Sequence, residues 1–185
     1  TNLSPEALQG LMGELIYLGQ LLDAATAITV NDMLESWRGP YGDQTDFILA
    51  DKRVEVKAVC GTSRAVRISS EFQLEKELGL GIELVVISLE KDPSTGLSIK
   101  EKLTELKDCV LTLCGDISIV LKALKELEIS YRNIGNYDNI RFRYVSTFRY
   151  DAALEGFPKI VRSSLQNSIR KVKYSLMLTE ISEYI

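Results

Sequence analysis

The chain has 185 residues, 45% of them hydrophobic, with 22 Lys and Arg against 26 Asp and Glu and a net charge of −4. That length supports one sizeable core, alone or with a small appended lobe, and no apolar run approaches the roughly 18 residues a membrane-crossing helix needs. Without a single histidine, neither a Ser-His-Asp triad nor a Cys-His pair can form, so any catalysis must rest on carboxylates, lysine and a hard metal such as magnesium or manganese.

Cys60, Cys109 and Cys114 have the spacing of neither a redox pair nor a thiolate zinc site, and with no signal-peptide pattern they point to a reducing cytoplasm without membrane contact. Thr1 in place of an initiator methionine suggests a fragment or a processed product. The mildly acidic balance argues against an extended nucleic-acid surface. It leaves room for a nuclease with an acidic centre and a basic rim.

In chain order, LSPEALQGLMGELIYLGQLLDAA predicts a first helix, with Ser4 as N-cap, Pro5 at the first helical position and Leu8, Leu11, Met12, Leu15, Leu18 and Leu22 at helical spacing. Gly10 and Gly13 interrupt it and predict a close approach near Glu14. A short helix is expected over residues 29–35, and SWRGPYGDQT is a loop. FIL and VEVKAV around ADKR predict a hairpin, AVRI a third strand, SSEFQLEKELGLG a helix and ELVVISLE a fourth, apolar strand. SIKEKLTELKDCVL and DISIVLKALKELEI read as helices, RFRYVSTFRY as a strand, FPKI as a turn packed by Phe157, and KVKYSLML as a closing strand. The sum is an α/β (α+β) chain whose central mixed sheet of about four strands is flanked by helices on both sides. Its core is expected over residues 1–115 and a carboxyl-terminal elaboration over 116–185.

The hairpin carries the chemistry. With ADKR as a four-residue turn, Leu49 faces Val54, Ile48 faces Glu55 and Asp46 faces Lys57. Asp46, Glu55 and Lys57 then share one face while Phe47, Val54 and Val56 pack on the other. Two adjacent carboxylates repel unless a cation or a proton holds them, and magnesium bound by carboxylates, waters and a substrate phosphate is the ordinary solution. A neighbouring lysine then positions water or stabilises developing charge, which makes the set suited to phosphodiester hydrolysis. A hairpin with a merely solvated polar face fits the same spacing.

GELIYLGQLL, WRGPYG, TDFIL, VEVKA and ISSEFQLE together resemble the PD-(D/E)xK nuclease superfamily, and within it an uncharacterised group associated with restriction or phage defence. The resemblance runs from residue 11 to about 75, with GFPKI and KVKYSLM adding to it near the end. It implies a restriction-endonuclease-like core, cleavage of DNA or occasionally RNA, and Mg²⁺ as cofactor with Mn²⁺ as a substitute. By position it implies that Asp46 is the metal aspartate, Glu55 and Lys57 the ExK pair, and Glu14 the helical glutamate that supplements the metal site. Thr45 stands where the motif has proline, a residue that supplies no ligand.

Glu14 lies at the border of its helix's apolar stripe, where a solvated flank competes with a site role. Gln73 is either the N3 partner of a capping box started by Ser70 or an active-site companion holding Lys57 or a phosphate. Trp37 reads as a hydrophobic anchor rather than a substrate wedge, and Asp43 as a turn residue rather than a ligand. Arg38, Lys52, Arg64 and Arg67 are candidate phosphate contacts. Two functions remain: a Mg²⁺-dependent endodeoxyribonuclease, or a non-catalytic nucleic-acid-binding or assembly subunit on the same fold. Expected partners are DNA, a second copy of the chain paired through Phe142, Tyr144, Phe148 and Tyr150, and other defence-system proteins.

Overall fold

A computed structural model describes residues 2–185. Helix α1 (Pro5–Asp23) begins where the sequence places it: the Ser4 side chain accepts the Ala7 N–H and Pro5 opens the first turn. It is followed by α2 (Val30–Glu35), β1 (Phe47–Ile48), β2 (Lys52–Cys60), β3 (Ala65–Ile68) and β4 (Gly81–Lys91). Then come α3 (Ile99–Thr112), α4 (Ser118–Glu126), β5 (Phe142–Asp151) and β6 (Tyr174–Met177).

The central sheet has the order β1-β2-β4-β5, with β2 parallel to β4 and the two outer pairings antiparallel. It is a mixed sheet, as expected from the sequence. β4 is apolar on both sides because both faces are covered. Val85, Ile87 and Leu89 join the core formed with α1 to α4, while Ile82, Leu84 and Val86 join a second core on the opposite face.

That second core corrects the expectation of helices on both sides. Its buried residues come from β2 to β6 and the loops around Leu74, Phe157 and Ile181, and no α-helical residue is among them. β3 does not join the central sheet either. It pairs antiparallel with β6, Val66 opposite Leu176 and Ile68 opposite Tyr174, so KVKYSLML closes a separate two-stranded ribbon. The central sheet takes its fourth strand, β5, from the segment expected to form the carboxyl-terminal elaboration. Phe142 and Tyr150 of that strand are buried, whereas Tyr144 and Phe148 face solvent.

The helix expected over SSEFQLEKELGLG is replaced by turns. Polar side chains take the local backbone donors there: Gln73 Oε1 accepts the Ser69 N–H at 2.7 Å and Ser70 Oγ the Phe72 N–H at 3.0 Å. Such local bonds compete directly with a helical ladder.

The glycines of α1 play different parts. A Cβ at Gly13 would lie 2.9 Å from the Ala58 Cβ, so this glycine sets how closely α1 packs on β2; a Cβ at Gly10 would meet nothing within 4 Å. Gly13→Ala should therefore lower stability by about 1 kcal/mol or more through overpacking. Gly10→Ala should raise it by up to about 1 kcal/mol through helix propensity. Urea midpoints moving in opposite directions are the expected result.

Candidate active site

The site grows from a mismatch in strand length. β1 has two residues and β2 has nine. Phe47 pairs with Val54 and Ile48 with Arg53, and the Leu49 N–H donates to the Lys52 carbonyl at 2.8 Å, leaving Ala50 and Asp51 as the turn. The turn is thus two residues rather than four, and the pairing is displaced by two from the expected register. An even displacement leaves every side chain on its expected face. Asp46 comes opposite Glu55 instead of Lys57, and the grouping survives.

Because β1 stops at Phe47, the next β2 amide on that edge has no strand partner. The Asp46 carboxylate supplies it, with Oδ2 accepting the Val56 N–H at 2.8 Å. One pleat further along, the Ala58 carbonyl accepts from the Gln9 side chain at 2.9 Å. Asp46 is fixed from its other side by the Arg38 and Gly39 N–H groups, which donate to its carbonyl at 2.7 and 2.9 Å.

Glu14 reaches the same edge from α1. The Trp37 indole N–H donates to Glu14 Oε2 at 2.7 Å. A Cβ at Gly39 would lie 2.6 Å from that oxygen and 3.0 Å from Asp46 Oδ1, so the glycine leaves the space in which the two carboxylates converge. Trp37 is the buried anchor its sequence context predicts, and it also holds Glu14. Nothing in the sequence signals that bond, since it spans 23 residues between a helix and a loop.

Glu55 projects from the face of β2 turned away from α1 and is 1% exposed. Its Oε1 pairs with Lys57 Nζ at 2.8 Å, while its Oε2 is buried without a hydrogen-bond partner. Lys57 Nζ also approaches Gln73 Oε1 at 3.5 Å. No helix starts at Ser70, so Gln73 is not the partner in a capping box; its Oε1 accepts the Ser69 N–H and lies 3.5 Å from Lys57 Nζ. Glu14, Asp46, Glu55, Lys57 and Gln73 all line one open cleft of about 720 Å³.

Electrostatics follow from this crowding. Burial, and then the charge of Asp46, push the Glu55 carboxyl up to about 8, against the pull of Lys57. Burial followed by Asp46 holds Glu14 well above the usual carboxylate range, opposed by the Trp37 hydrogen bond. Asp46 is itself raised, chiefly by burial, with the Val56 N–H opposing. Among the described residues no group of three or more His, Cys, Asp or Glu side chains is arranged to hold a metal ion. A divalent cation bound by two carboxylates and waters asks for fewer protein ligands. The orphaned Glu55 Oε2 and the mutual repulsion of the carboxylates fit such an ion.

The candidate phosphate contacts divide. Arg38 is paired with Asp43 at 2.8 Å and stacked over Tyr41, and Lys52 is paired with Glu83 at 2.9 Å, both away from the cleft lining. Arg67 lines the cleft and Arg64 is exposed just before β3. Residues 1–179 match a family described as "Putative PD-(D/E)XK family member, (DUF4420)". No curated protein and no solved structure matches the chain.

The raised carboxyl of Glu55 has a consequence for stability. Its ordinary value is 4.5 and its folded value about 8, so between these limits the folded state binds more protons than the unfolded chain. Its contribution is then fully present below about pH 4.5 and is lost as the pH rises through about 8. Glu14 and Asp46 act in the same direction. Urea unfolding of the metal-free protein should show stability falling from pH 5 to pH 8, and Glu55→Gln should flatten that fall. A variant with the wild-type slope would contradict the assignment.

Proposed function

Because the chain belongs to the DUF4420 family of PD-(D/E)XK members, we propose that it is a metal-dependent endodeoxyribonuclease that hydrolyses DNA phosphodiester bonds, with a role in restriction or phage defence. The carrying observation is the convergence of Asp46, Glu55 and Lys57 on one strand edge, with a buried Glu55 oxygen that no protein group satisfies. A solvated hairpin has no reason to bury these groups, because an unpaired buried carboxylate is costly.

In this proposal Asp46 and Glu55 would hold Mg²⁺, with Mn²⁺ as a substitute. The ion would supply Lewis acidity at the scissile phosphate and acidify a bound water. Asp46 commits Oδ2 to the Val56 N–H and turns Oδ1 toward Glu14, so its orientation is set before any ligand arrives. Glu55 keeps Lys57 within 2.8 Å and directs the ammonium to the cleft. Lys57 then positions the attacking water or stabilises charge developing on the phosphate, with Gln73 steadying its Nζ. Glu14, held by Trp37, would help to hold the ion, either directly or through a water. Cutting both strands takes either two such centres or sequential nicks, and for the first route the exposed Tyr144 and Phe148 of β5 offer a surface for a two-fold pair. Sedimentation should show concentration-dependent dimers, and a monomer at all concentrations would remove that part of the proposal.

The deciding experiment incubates plasmid and linear DNA with wild type, Lys57→Ala and Asp46→Ala in Mg²⁺, Mn²⁺ or EDTA. Lys57→Ala should keep metal binding and lose about 100-fold or more in cleavage, because electrostatic stabilisation of a transition state is commonly worth about 3 kcal/mol. Asp46→Ala should lose both metal affinity and cleavage. Undiminished cleavage by Lys57→Ala would remove the lysine from the mechanism. DNA binding without cutting by any preparation would favour the binding or assembly subunit.

A further inference from the structure

The net charge of −4 hides a strong segregation. Residues 61–70 and 156–179 together carry seven of the 22 Lys and Arg and none of the 26 Asp and Glu. The remainder of the chain carries 15 cations against 26 acids. These two acid-free segments are far apart in sequence and are joined in space by the β3–β6 ribbon.

The ribbon's alternation sorts its side chains. Val66, Ile68 and Leu176 point into the second core, leaving Ala65, Arg67, Ser175 and Met177 on the outer face. Extending the register by one residue sets Lys173 opposite Ser69, and both Arg67 and Ser69 line the cleft that holds Lys57. Arg64, Arg67, Arg170, Lys171 and Lys173 are all exposed, and no ion pair engages any of them among the described residues.

The end of the ribbon is held in a defined shape. Lys171 has φ 58, a left-handed conformation that side-chain-bearing residues rarely adopt. Glu71, 3% exposed, maintains it: its carboxylate accepts the Val172 N–H at 3.0 Å and faces Arg162 at 3.4 Å. Arg162 in turn donates to the carbonyls of Leu165, Gln166 and Ile169. A buried acid and a many-bonded arginine thus fix the turn that presents exposed lysines. Backbone strain maintained by such a network is a feature of ligand-holding segments.

We propose that the outer face of the β3–β6 ribbon and the 170–173 turn form the surface that binds the phosphate backbone of duplex DNA and leads it to the cleft. This assignment rests on the nuclease reading for its direction and adds to it a binding element drawn from the carboxyl-terminal segment. Charge complementarity selects a polyanion. The outer face carries no aromatic side chain, so it lacks the stacking platform that single strands require, and a duplex is the fitting form.

The test measures binding of a labelled duplex by fluorescence anisotropy in EDTA across a salt series. It compares wild type with Arg67→Gln/Lys171→Gln/Lys173→Gln and with a control that removes equal charge from the helical layer, Lys100→Gln/Lys107→Gln/Lys122→Gln. The ribbon variant should bind about tenfold or more weaker, with a log–log salt slope shallower by about 0.9 for each phosphate it no longer neutralises. The control should stay within about twofold of wild type. The charge-preserving variant Lys171→Arg/Lys173→Arg should bind as wild type does. Equal weakening by both triples, or undiminished binding by the ribbon triple, would overturn the proposal. So would tighter binding of a single strand of the same length, or capture by anionic lipid vesicles without duplex binding. Salt-dependent binding that disappears with the ribbon charges, without any cleavage under Mg²⁺, would uphold the surface and sink the nuclease. Cleavage untouched by the ribbon triple would do the reverse.

Discussion

One hydrogen bond organises the candidate centre: the Asp46 carboxylate on the Val56 N–H, at the point where β1 ends and β2 continues. A sheet edge buried against other structure must satisfy its donors, and here a side chain does what a longer strand would otherwise do. The result is a carboxylate whose position is set by the backbone rather than by a flexible rotamer. Glu14 can approach it because Gly39 has no side chain, and Trp37 holds Glu14 in that approach. A longer β1 would pair Val56 with another backbone group and release the aspartate.

The same edge explains how groups from two faces of one sheet meet. Glu14 belongs to the helical layer and Glu55 to the layer covered by the β3–β6 ribbon. Inside a sheet these layers are separated by backbone. At an edge where no further strand pairs they meet in one cleft, and burial raises Glu14, Asp46 and Glu55 together. A carboxylate cluster of this kind destabilises the empty protein when ionised, which is a common property of sites built to receive a cation.

The ribbon joins the two halves of the chain at the rim of that cleft. The 69–73 segment is bonded to both: Glu71 grips the turn before β6, and two residues later Gln73 faces Lys57. This double use accounts for its turns. A helix there would draw the Gln73 and Ser70 side chains into capping and turn Glu71 away from Val172.

Legible in the chain itself was whatever depends on neighbours a few residues apart. Ser4 and Pro5 start α1 because capping is local, and Glu55 shares a face with Lys57 because strand side chains alternate. The face shared with Asp46 was legible despite a turn two residues shorter than expected, since an even shift preserves alternation. Whether that face was solvated or a site was not legible, because Glu55 lies beside Leu84 of β4 and shares its cleft with β3 and Gln73, which all arrive from elsewhere in the chain. Folding in three dimensions was needed to send AVRI out of the central sheet to a strand more than 100 residues later, and to set RFRYVSTFRY in the vacant place beside β4. Both apolar patterns suit any half-buried strand, and the choice of partner depends on which faces the assembled fold has to cover. The bond from Trp37 to Glu14 has the same origin, because its geometry exists only when a loop and a helix have both docked on the edge of β2.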